Sequence, residues 1–255
     1  MTKYLYRYIS FESFVGMIQN KALTFVSPEL WDDPKESAPF YQLVKETEEA
    51  YFKVMLFTIY YKTYCQSWTR AVESDAMWRI YSYGNRAIQI KVSEDKLHLL
   101  ENVDMIPVEY SDRIKIYPSG VMDSFIRSLA IKRSAFRHER EVRLIKHFKF
   151  ANIDDLQNHI KAFLSIHEHP QMVELIESLY PGLSTEEQVD NIIHLLNVGK
   201  DRQTTYDVSF EDIDGFIKGV RVHPMAPDWY VNIVGEYCKR NSVPFLGKSK
   251  LYSAD

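Results

Sequence analysis

Alternation of apolar and polar positions predicts short strands over much of the chain. The predicted strands are residues 4–9, 23–25, 63–69, 86–92, 103–110, 139–145, 206–210, 216–222 and 244–246. Apolar residues at helical spacing predict helices, which are residues 11–20, 40–57, 74–81, 120–134 and 224–240. Strands and helices mix without regular β-α-β alternation, so the sequence favours an α+β fold with a mixed, mainly antiparallel sheet flanked by helices.

The character of the chain changes at residues 151–200. This stretch has helical periodicity with almost no β-branched runs, broken at His169-Pro170 and Tyr180-Pro181-Gly182. It predicts two or three helices that form an insertion or a small lobe within a single domain spanning residues 1–255. His167 and His169 are two residues apart in a helical segment and point to different faces, so no metal site is expected there.

Composition and charge narrow the possible classes of function. The 255 residues are 45% apolar with a net charge of −4, so no overall field attracts nucleic acid or anionic lipid. Two distant cysteines, no secretory signal and no membrane-length apolar run predict a cytoplasmic protein. With 9 glycines and no glycine-rich phosphate loop, nucleophile elbow or zinc motif, the common nucleotide, hydrolase and zinc sites are not expected.

The predicted strand 139–145 carries an unusual polar face. Side chains alternate along a strand, so Glu139, Glu141 and Arg143 project from one face. Two carboxylates at this spacing repel each other unless a cation or ligand lies nearby. The alternatives are a binding site and an exposed face with cross-strand ion pairs, in which Arg143 neutralises the glutamates.

Two other predicted strands offer groups that could complete such a site. Arg7 shares a face with apolar neighbours, so if buried it needs a carboxylate or a bound phosphate as partner. A structural Arg–Glu bridge is the alternative. In the strand 63–69, Cys65, Ser67 and Thr69 form a face of small polar groups, which either leaves room for a ligand or packs tightly.

A basic segment at residues 127–149 suggests a different function. Eight basic residues less two glutamates give it a local charge of +6. The segment is compatible with a nucleic-acid or phosphate-binding module in which Arg133, Arg137 and Arg140 make the contacts. A solvated basic surface that balances the acidic region 29–49 is the alternative.

Several short motifs, taken in order, resemble a bacterial family, domain of unknown function 2971. The resemblance covers most of the chain outside residues 151–200. The motifs are Tyr6-Arg7-Tyr8, Leu23-Thr24-Phe25, Asp32-Asp33-Pro34, Cys65-Gln66-Ser67-Trp68, Met77-Trp78-Arg79-Ile80-Tyr81, Ala87-Ile88-Gln89-Ile90, Phe136 through Arg143, and Val222-His223-Pro224.

A more distant resemblance is to ADP-ribosyltransferases of the arginine-serine-glutamate type. Arg7, the segment Ser67-Trp68-Thr69 and the segment Glu139-Arg140-Glu141 match the order and strand context of that pattern. The resemblance implies a split sheet and an NAD-dependent ADP-ribosyltransferase or NAD glycohydrolase, conceivably a bacterial toxin or phage-defence effector. Its acceptor would be a protein or a nucleic acid.

The same resemblance implies roles for individual residues. The NAD-binding residues would be Arg7, Tyr8, Ser67 and Thr69, with the two hydroxyls shaping the nicotinamide pocket. Glu141 would engage the ribose as positive charge develops on it, and Glu139 would orient the acceptor. Trp68 within the hydroxyl motif, Thr69 at its end, Arg140 between the glutamates and Arg143 beside them depart from the pattern.

Overall fold

The fold was analysed in a computed structural model that describes residues 2–47, 56–57, 59–115, 121–147, 203–210 and 215–253. The predicted helical insertion at 151–200, with His167 and His169, lies outside the described residues. Within those ranges no helix is long and apolar enough to cross a membrane.

Strands and helices alternate irregularly along the described chain. The strands are β1 (Tyr4–Ile9), β2 (Ala22–Val26), β3 (Tyr64–Thr69), β4 (Ile88–Ser93), β5 (Val103–Pro107), β6 (Glu109–Tyr110), β7 (Ile131–Lys132), β8 (Glu141–Lys146), β9 (Thr205–Ser209), β10 (Ile217–Val222) and β11 (Phe245–Lys248). The α-helices whose bounds are described are α1 (Phe11–Asn20), α2 (Ala38–Glu46), α3 (Asp75–Ile80), α4 (Glu94–Leu97), α5 (Val121–Ser128) and α6 (Asp228–Arg240). Residues 56–57 and 59–61 are also helical. The short 3-10 helices are Pro28–Leu30, Pro34–Glu36, Tyr83–Asn85 and Ser134–Glu139.

Most strands join one mixed sheet, which confirms the predicted α+β class. Its main path runs β11-β10-β4-β1-β3-β2-β9, and β8 and β5 extend it from the other edge of β3. Neighbouring strands are antiparallel except for the β10–β11 pair. The short strands β6 and β7 form a separate parallel pair.

The sheet forks at β3. Strand β8 pairs with all six residues of β3, so β1 and β2 must share the opposite edge. Strand β1 meets this edge at Tyr6↔Thr69 and β2 meets it at Val26↔Cys65. Between these two points Gln66 takes over part of the missing pairing: its Nε2 donates to the Thr24 carbonyl at 2.8 Å, and its Oε1 accepts from Trp68 Nε1 at 2.8 Å.

One face of the sheet forms the main core against α1 and α6. Ser10 caps α1 by accepting a hydrogen bond from the Ser13 backbone, and Phe14, Met17 and Ile18 follow at helical spacing and are buried. Leu5, Val142 and Leu144 face these helices from the strands. The other face of β3 and β8 carries polar residues, and the candidate site lies there.

The predicted helix 120–134 and the predicted strand 103–110 were each wrong in part. Helix α5 ends at Ser128, and Ile131–Lys132 instead pairs in parallel with Glu109–Tyr110. The strand is divided because β5 ends at Pro107 and the chain turns toward this small pair. Pairing between distant segments overrides the local helical pattern here.

Two predicted helix boundaries and one strand start also differ. Helix α2 ends at Glu46, where Thr47 takes an extended conformation, before the predicted end at 57. Helix α6 begins at Asp228 after Pro227 and not at Pro224. Strand β8 begins at Glu141, because Arg140 has a left-handed φ of 45° and ends the preceding 3-10 turn.

Candidate active site

A cavity of about 460 Å³ opens where the sheet forks. Its size falls within the range of small-molecule sites. All six residues that the sequence resemblance assigned to catalysis or NAD binding line it: Arg7, Tyr8, Ser67, Thr69, Glu139 and Glu141. The cavity also contacts Gln66 and Trp68 on the other face of β3, which indicates that it extends into the fork.

The register of β3 and β8 explains why hydroxyls and charges share one face. Thr69 lies opposite Glu141 and Ser67 lies opposite Arg143. Paired residues in antiparallel strands project to the same side, so these four side chains face the cavity. The intervening Trp68 belongs to the core on the other side.

Glu139 reaches the cavity by a route that differs from the predicted one. It closes the 3-10 turn Ser134–Glu139 and is not part of β8. Arg140 has a left-handed backbone conformation, which turns the chain between Glu139 and β8. The Arg140 carbonyl accepts a hydrogen bond from the Arg70 backbone N–H at 3.1 Å. The Glu139 and Glu141 carboxylates consequently converge on one cation, Lys132.

Arg143 is among the most buried residues of the site. Its side chain is 1% exposed and lies over the Trp31 ring, 4.1 Å from the ring centroid. Its Nη2 lies 2.7 Å from Glu36 Oε2 and 2.8 Å from Glu141 Oε1, and its Nη1 donates to the Leu129 carbonyl at 2.7 Å. Protein groups therefore contact the guanidinium both at its nitrogens and on its flat face.

Lys132 is the second cation of this cluster. Its Nζ lies 2.7 Å from Glu139, 3.3 Å from Glu141 and 3.3 Å from Glu36. Burial opposes the charge on Lys132, but the three carboxylates outweigh it and raise its pKa. Three carboxylates against two cations leave the cluster one negative charge in excess.

The two catalytic candidates have opposite electrostatic environments. Burial opposes ionisation of Glu141, yet Arg143 and Lys132 lower its pKa to about 2. Glu139 has a raised pKa because burial outweighs its contact with Lys132. Glu141 is thus a permanent anion near neutral pH, while Glu139 takes up a proton more readily than an ordinary glutamate.

Ser67 orients the Glu141 carboxylate from the cavity side. Its hydroxyl donates to Glu141 Oε1 at 2.6 Å, while the Glu141 backbone N–H donates to the Tyr110 hydroxyl at 2.7 Å. Glu141 is only 4% exposed, whereas Ser67 is exposed to the cavity. The oxygen that a ligand meets is therefore fixed in direction before any ligand binds.

The Thr69 hydroxyl is engaged by the backbone. It donates to the Glu139 carbonyl at 2.5 Å and accepts from the Ala71 N–H at 3.0 Å. Thr69 lines the cavity, but these two bonds tie β3 to the turn that carries Glu139. Its main contribution is to hold that turn in place.

Replacing Thr69 by Val should lower the free energy of unfolding by about 1–3 kcal/mol. The shape of the side chain is kept, while a buried N–H and a buried carbonyl lose their partner. Urea unfolding followed by circular dichroism measures the change. Thr24→Val is the matched control, because the Thr24 hydroxyl donates to Asp207 at the exposed surface. An equal loss in both variants would show that the Thr69 contacts have no special weight.

Arg7 directly follows Tyr6, the residue through which β1 pairs with β3. The Arg7 side chain lines the cavity. No carboxylate or carbonyl of the described residues contacts its guanidinium. Burial lowers the pKa of Arg7 to about 10, while electrostatic interaction with Tyr81 favours the charged form. Arg7 is thus a partly buried cation that still has its hydrogen-bond donors available.

Tyr8 and Tyr81 form an aromatic wall of the cavity. Their ring centroids are 6.5 Å apart in a stacked arrangement, and the edge of Trp78 packs against Tyr8 at 4.7 Å. The Tyr8 hydroxyl accepts from Gln89 Nε2 at 2.8 Å, and burial raises its pKa to about 12. The two tyrosine rings therefore give the cavity a flat apolar surface, and the contacts with Trp78 and Gln89 fix the orientation of Tyr8.

The sequence assigned no site role to several cavity residues that matter for its charge and its walls, among them Trp31, Glu36, Tyr81 and Lys132. Glu36 ends the 3-10 segment Pro34–Glu36. The Asp33 side chain caps this segment by accepting a hydrogen bond from the Lys35 backbone N–H. The one available signal was that Arg143 on a buried face requires more than one anionic partner.

The basic segment 127–149 is largely committed to internal contacts. Arg127 pairs with Asp123, Arg133 pairs with Asp33, and Lys146 donates to the Glu101 carbonyl. With Lys132 and Arg143 in the buried cluster, the described segment leaves Arg137 and Arg140 as exposed cations. Lys149 lies outside the described residues.

Cys65 is not a ready nucleophile in this site. Cys65 is buried on the cavity face, and burial raises its pKa to about 12, so it is not a thiolate near neutral pH. Among the described residues no group of three His, Cys, Asp or Glu side chains is arranged to hold a metal ion.

No model of a known family, no curated protein and no solved structure matches this chain. The relationship to domain of unknown function 2971 and to ADP-ribosyltransferases accordingly stays a hypothesis from short motifs. A functional assignment has to rest on the geometry of the cavity.

Proposed function

We propose that this protein cleaves the bond between nicotinamide and ribose in NAD, as an ADP-ribosyltransferase or an NAD glycohydrolase. One observation carries the proposal. An arginine that contacts no carboxylate or carbonyl of the described residues, a serine-oriented carboxylate and an aromatic wall line the same cavity. These are the groups that a ligand with a pyrophosphate, a reactive ribose and a flat ring requires.

The proposed chemistry suits the charge of Glu141. When the C1′–N bond breaks, its electron pair goes to nicotinamide, which leaves as a neutral molecule and needs no general acid. Positive charge then develops on the ribose at C1′ and the ring oxygen. A buried carboxylate that is already ionised stabilises this charge without reorganising at the moment of reaction.

The balance of charges in the cavity agrees with the same ligand. The cluster of Glu36, Glu139, Glu141, Lys132 and Arg143 has an excess negative charge, which suits the cationic nicotinamide ring. Arg7 is outside that cluster and is available to the pyrophosphate through a planar pair of donors. The two ends of the ligand thus meet opposite charges.

Glu139 is the proposed base for the attacking group. A nucleophile, either water or an acceptor group, forms a bond to C1′ and loses a proton. Glu139 has the raised pKa that suits proton uptake, and Lys132 holds it beside Glu141. Water as nucleophile gives hydrolysis, and a protein or nucleic-acid group gives transfer. A bacterial toxin or phage-defence effector would use either outcome.

We expect the purified 255-residue chain to release nicotinamide from NAD, measured by chromatography of the reaction mixture over time. Hydrolysis yields free ADP-ribose, whereas transfer requires an added acceptor extract and labels it from radioactive NAD. Absence of release in both formats, with protein that unfolds cooperatively, would contradict the proposal. Salt-sensitive binding of nucleic acid without NAD cleavage would favour the binding-module alternative, for which Arg137 and Arg140 are the exposed candidates.

Replacing Arg7 by Gln should raise the KM for NAD about tenfold or more and change kcat less. The variant loses a charge-assisted hydrogen bond to the ligand, which is worth roughly 1.5–3 kcal/mol. Steady-state kinetics of nicotinamide release separate the two constants. Arg79→Gln is the matched control, since Arg79 is exposed and pairs with Asp75. An unchanged KM in Arg7→Gln would remove Arg7 from the binding site.

A further inference from the structure

A second pocket of about 410 Å³ lies beside the large cavity. The start of α1, the loop from Tyr81 to Ala87 and the first turns of α6 form its walls. Five aromatic rings line it: Phe11, Tyr81, Tyr83, Trp229 and Tyr230. Tyr81 also lines the large cavity, so the two spaces are adjacent.

The rings form a fixed floor and an exposed rim. Tyr230 is buried, its hydroxyl donates to the Arg86 carbonyl at 2.5 Å, and its ring packs edge-on against Phe11 at 6.1 Å. Tyr83 is 91% exposed and Trp229 is 54% exposed. Two large exposed aromatics beside a concave surface are typical of a binding site and unusual on an inert surface.

Arg86 supplies a positive charge to this pocket. No carboxylate of the described residues lies within ion-pair distance of its guanidinium. The guanidinium packs against Gly84, where a Cβ atom would lie 3.2 Å from Arg86 Nη2. Gly84 has a φ of +59°, which favours glycine, so the loop both bends there and leaves space for Arg86.

Glu12 supplies a carboxylate acceptor in the same pocket, close enough to Arg86 for the two charges to attract. Hydrogen bonds from its own backbone N–H and from the Ser10 hydroxyl lower the pKa of Glu12, so it is ionised near neutral pH. The pocket therefore combines flat stacking surfaces, one cation that can bind an anion, and one carboxylate that accepts hydrogen bonds.

We infer that this second pocket binds a nucleotide unit, with the base stacked on Trp229 or Tyr83 and the phosphate on Arg86. Glu12 would accept a hydrogen bond from a ribose hydroxyl or an exocyclic amino group. An apolar peptide side chain would leave the hydrogen-bond donors of Arg86 unused, and an acidic peptide would leave the rings unused. A free nucleotide and a unit of a single strand present the same chemistry.

The test is calorimetric titration of the 255-residue chain with AMP, adenosine and ribose 5-phosphate. AMP should bind, adenosine should bind about tenfold more weakly, and ribose 5-phosphate should show the weakest binding. Arg86→Gln should reduce AMP affinity about tenfold and leave adenosine unchanged. Trp229→Ala should weaken both about tenfold, as expected for loss of one stacked base. AMP has no nicotinamide, so the result does not depend on NAD cleavage.

Control variants and a titration with a short oligonucleotide test the specificity of AMP binding. Lys239→Gln and Tyr41→Ala replace an exposed cation and an exposed aromatic outside both pockets and should bind AMP as the wild type does. Tighter binding of a 5′-phosphorylated tetra-adenylate than of AMP identifies a single strand as the source, and equal binding identifies a free nucleotide. Absence of AMP binding, binding unaffected by Arg86→Gln and Trp229→Ala, or binding lost only in Arg7→Gln would each overturn the inference.

Discussion

Glu141→Gln is expected to reduce nicotinamide release from NAD at least a hundredfold. The substitution keeps the size of the side chain but removes the negative charge that faces the developing positive charge on the ribose. Loss of one preorganised electrostatic contact typically lowers kcat by about 10²–10³. The measurement is the single-turnover rate with protein in excess over NAD, which separates the chemical step from ligand binding.

The controls for this prediction address charge and folding separately. Glu236→Gln removes an exposed carboxylate on α6, outside both pockets, and should retain the wild-type rate. Ser67→Ala keeps the charge of Glu141 but removes the 2.6 Å hydrogen bond that orients it, so an intermediate loss of about tenfold is expected. Wild-type rates in folded Glu141→Gln protein would exclude Glu141 from the reaction.

Arg143→Leu is expected to lower the free energy of unfolding by about 3–5 kcal/mol. This range is typical when one partner of a buried ion pair is removed and the other charge is left uncompensated. Here Glu36 and Glu141 would both lose their closest cation, and the Leu129 carbonyl would lose its donor. Chemical denaturation at neutral pH measures the change.

Two comparisons isolate the cause of that loss. Arg79→Leu removes an exposed arginine paired with Asp75 and should cost less than about 1 kcal/mol. Arg143→Lys should restore only part of the stability, because one ammonium group cannot reproduce the planar set of contacts to Glu36, Glu141 and Leu129. A loss in Arg143→Leu no larger than in Arg79→Leu would mean that the buried cluster does not stabilise the fold.

The regular strands and helices were predictable from local patterns. Strand β1 follows the alternation of Tyr4 to Ile9, and α1 follows a capping serine with apolar residues at helical spacing. Errors occurred where a distant partner decides the structure. Ile131 and Lys132 pair with Glu109 and Tyr110, which no pattern within 120–134 could indicate.

The site was predictable in its strand residues and not in its loop residues. Alternation within each strand puts Ser67 on one face with Thr69 and Glu141 on one face with Arg143, and the sequence displays this alternation. Glu36 and Lys132 reach the cluster through tertiary contacts that no spacing encodes. Glu139 was placed on the correct side for the wrong reason, because the left-handed turn at Arg140 replaces the expected alternation.

The sequence left open whether Arg143 neutralises the glutamates. Arg143 does pair with Glu141, but it also pairs with Glu36, a third carboxylate that the strand pattern does not contain. Lys132 contacts all three acids. The cluster accordingly keeps an excess negative charge, and the pairing itself lowers the pKa of Glu141 and keeps it ionised.

The fork at β3 also determines when the cavity can form. Its walls come from β1, β3 and β8, so residues as distant as Arg7 and Glu141 must meet before the space exists. Such non-local pairing forms late in folding. A chain still on the ribosome lacks β8 until synthesis has passed Lys146. Any activity of this cavity therefore begins only after β8 has been synthesised and has paired with β3.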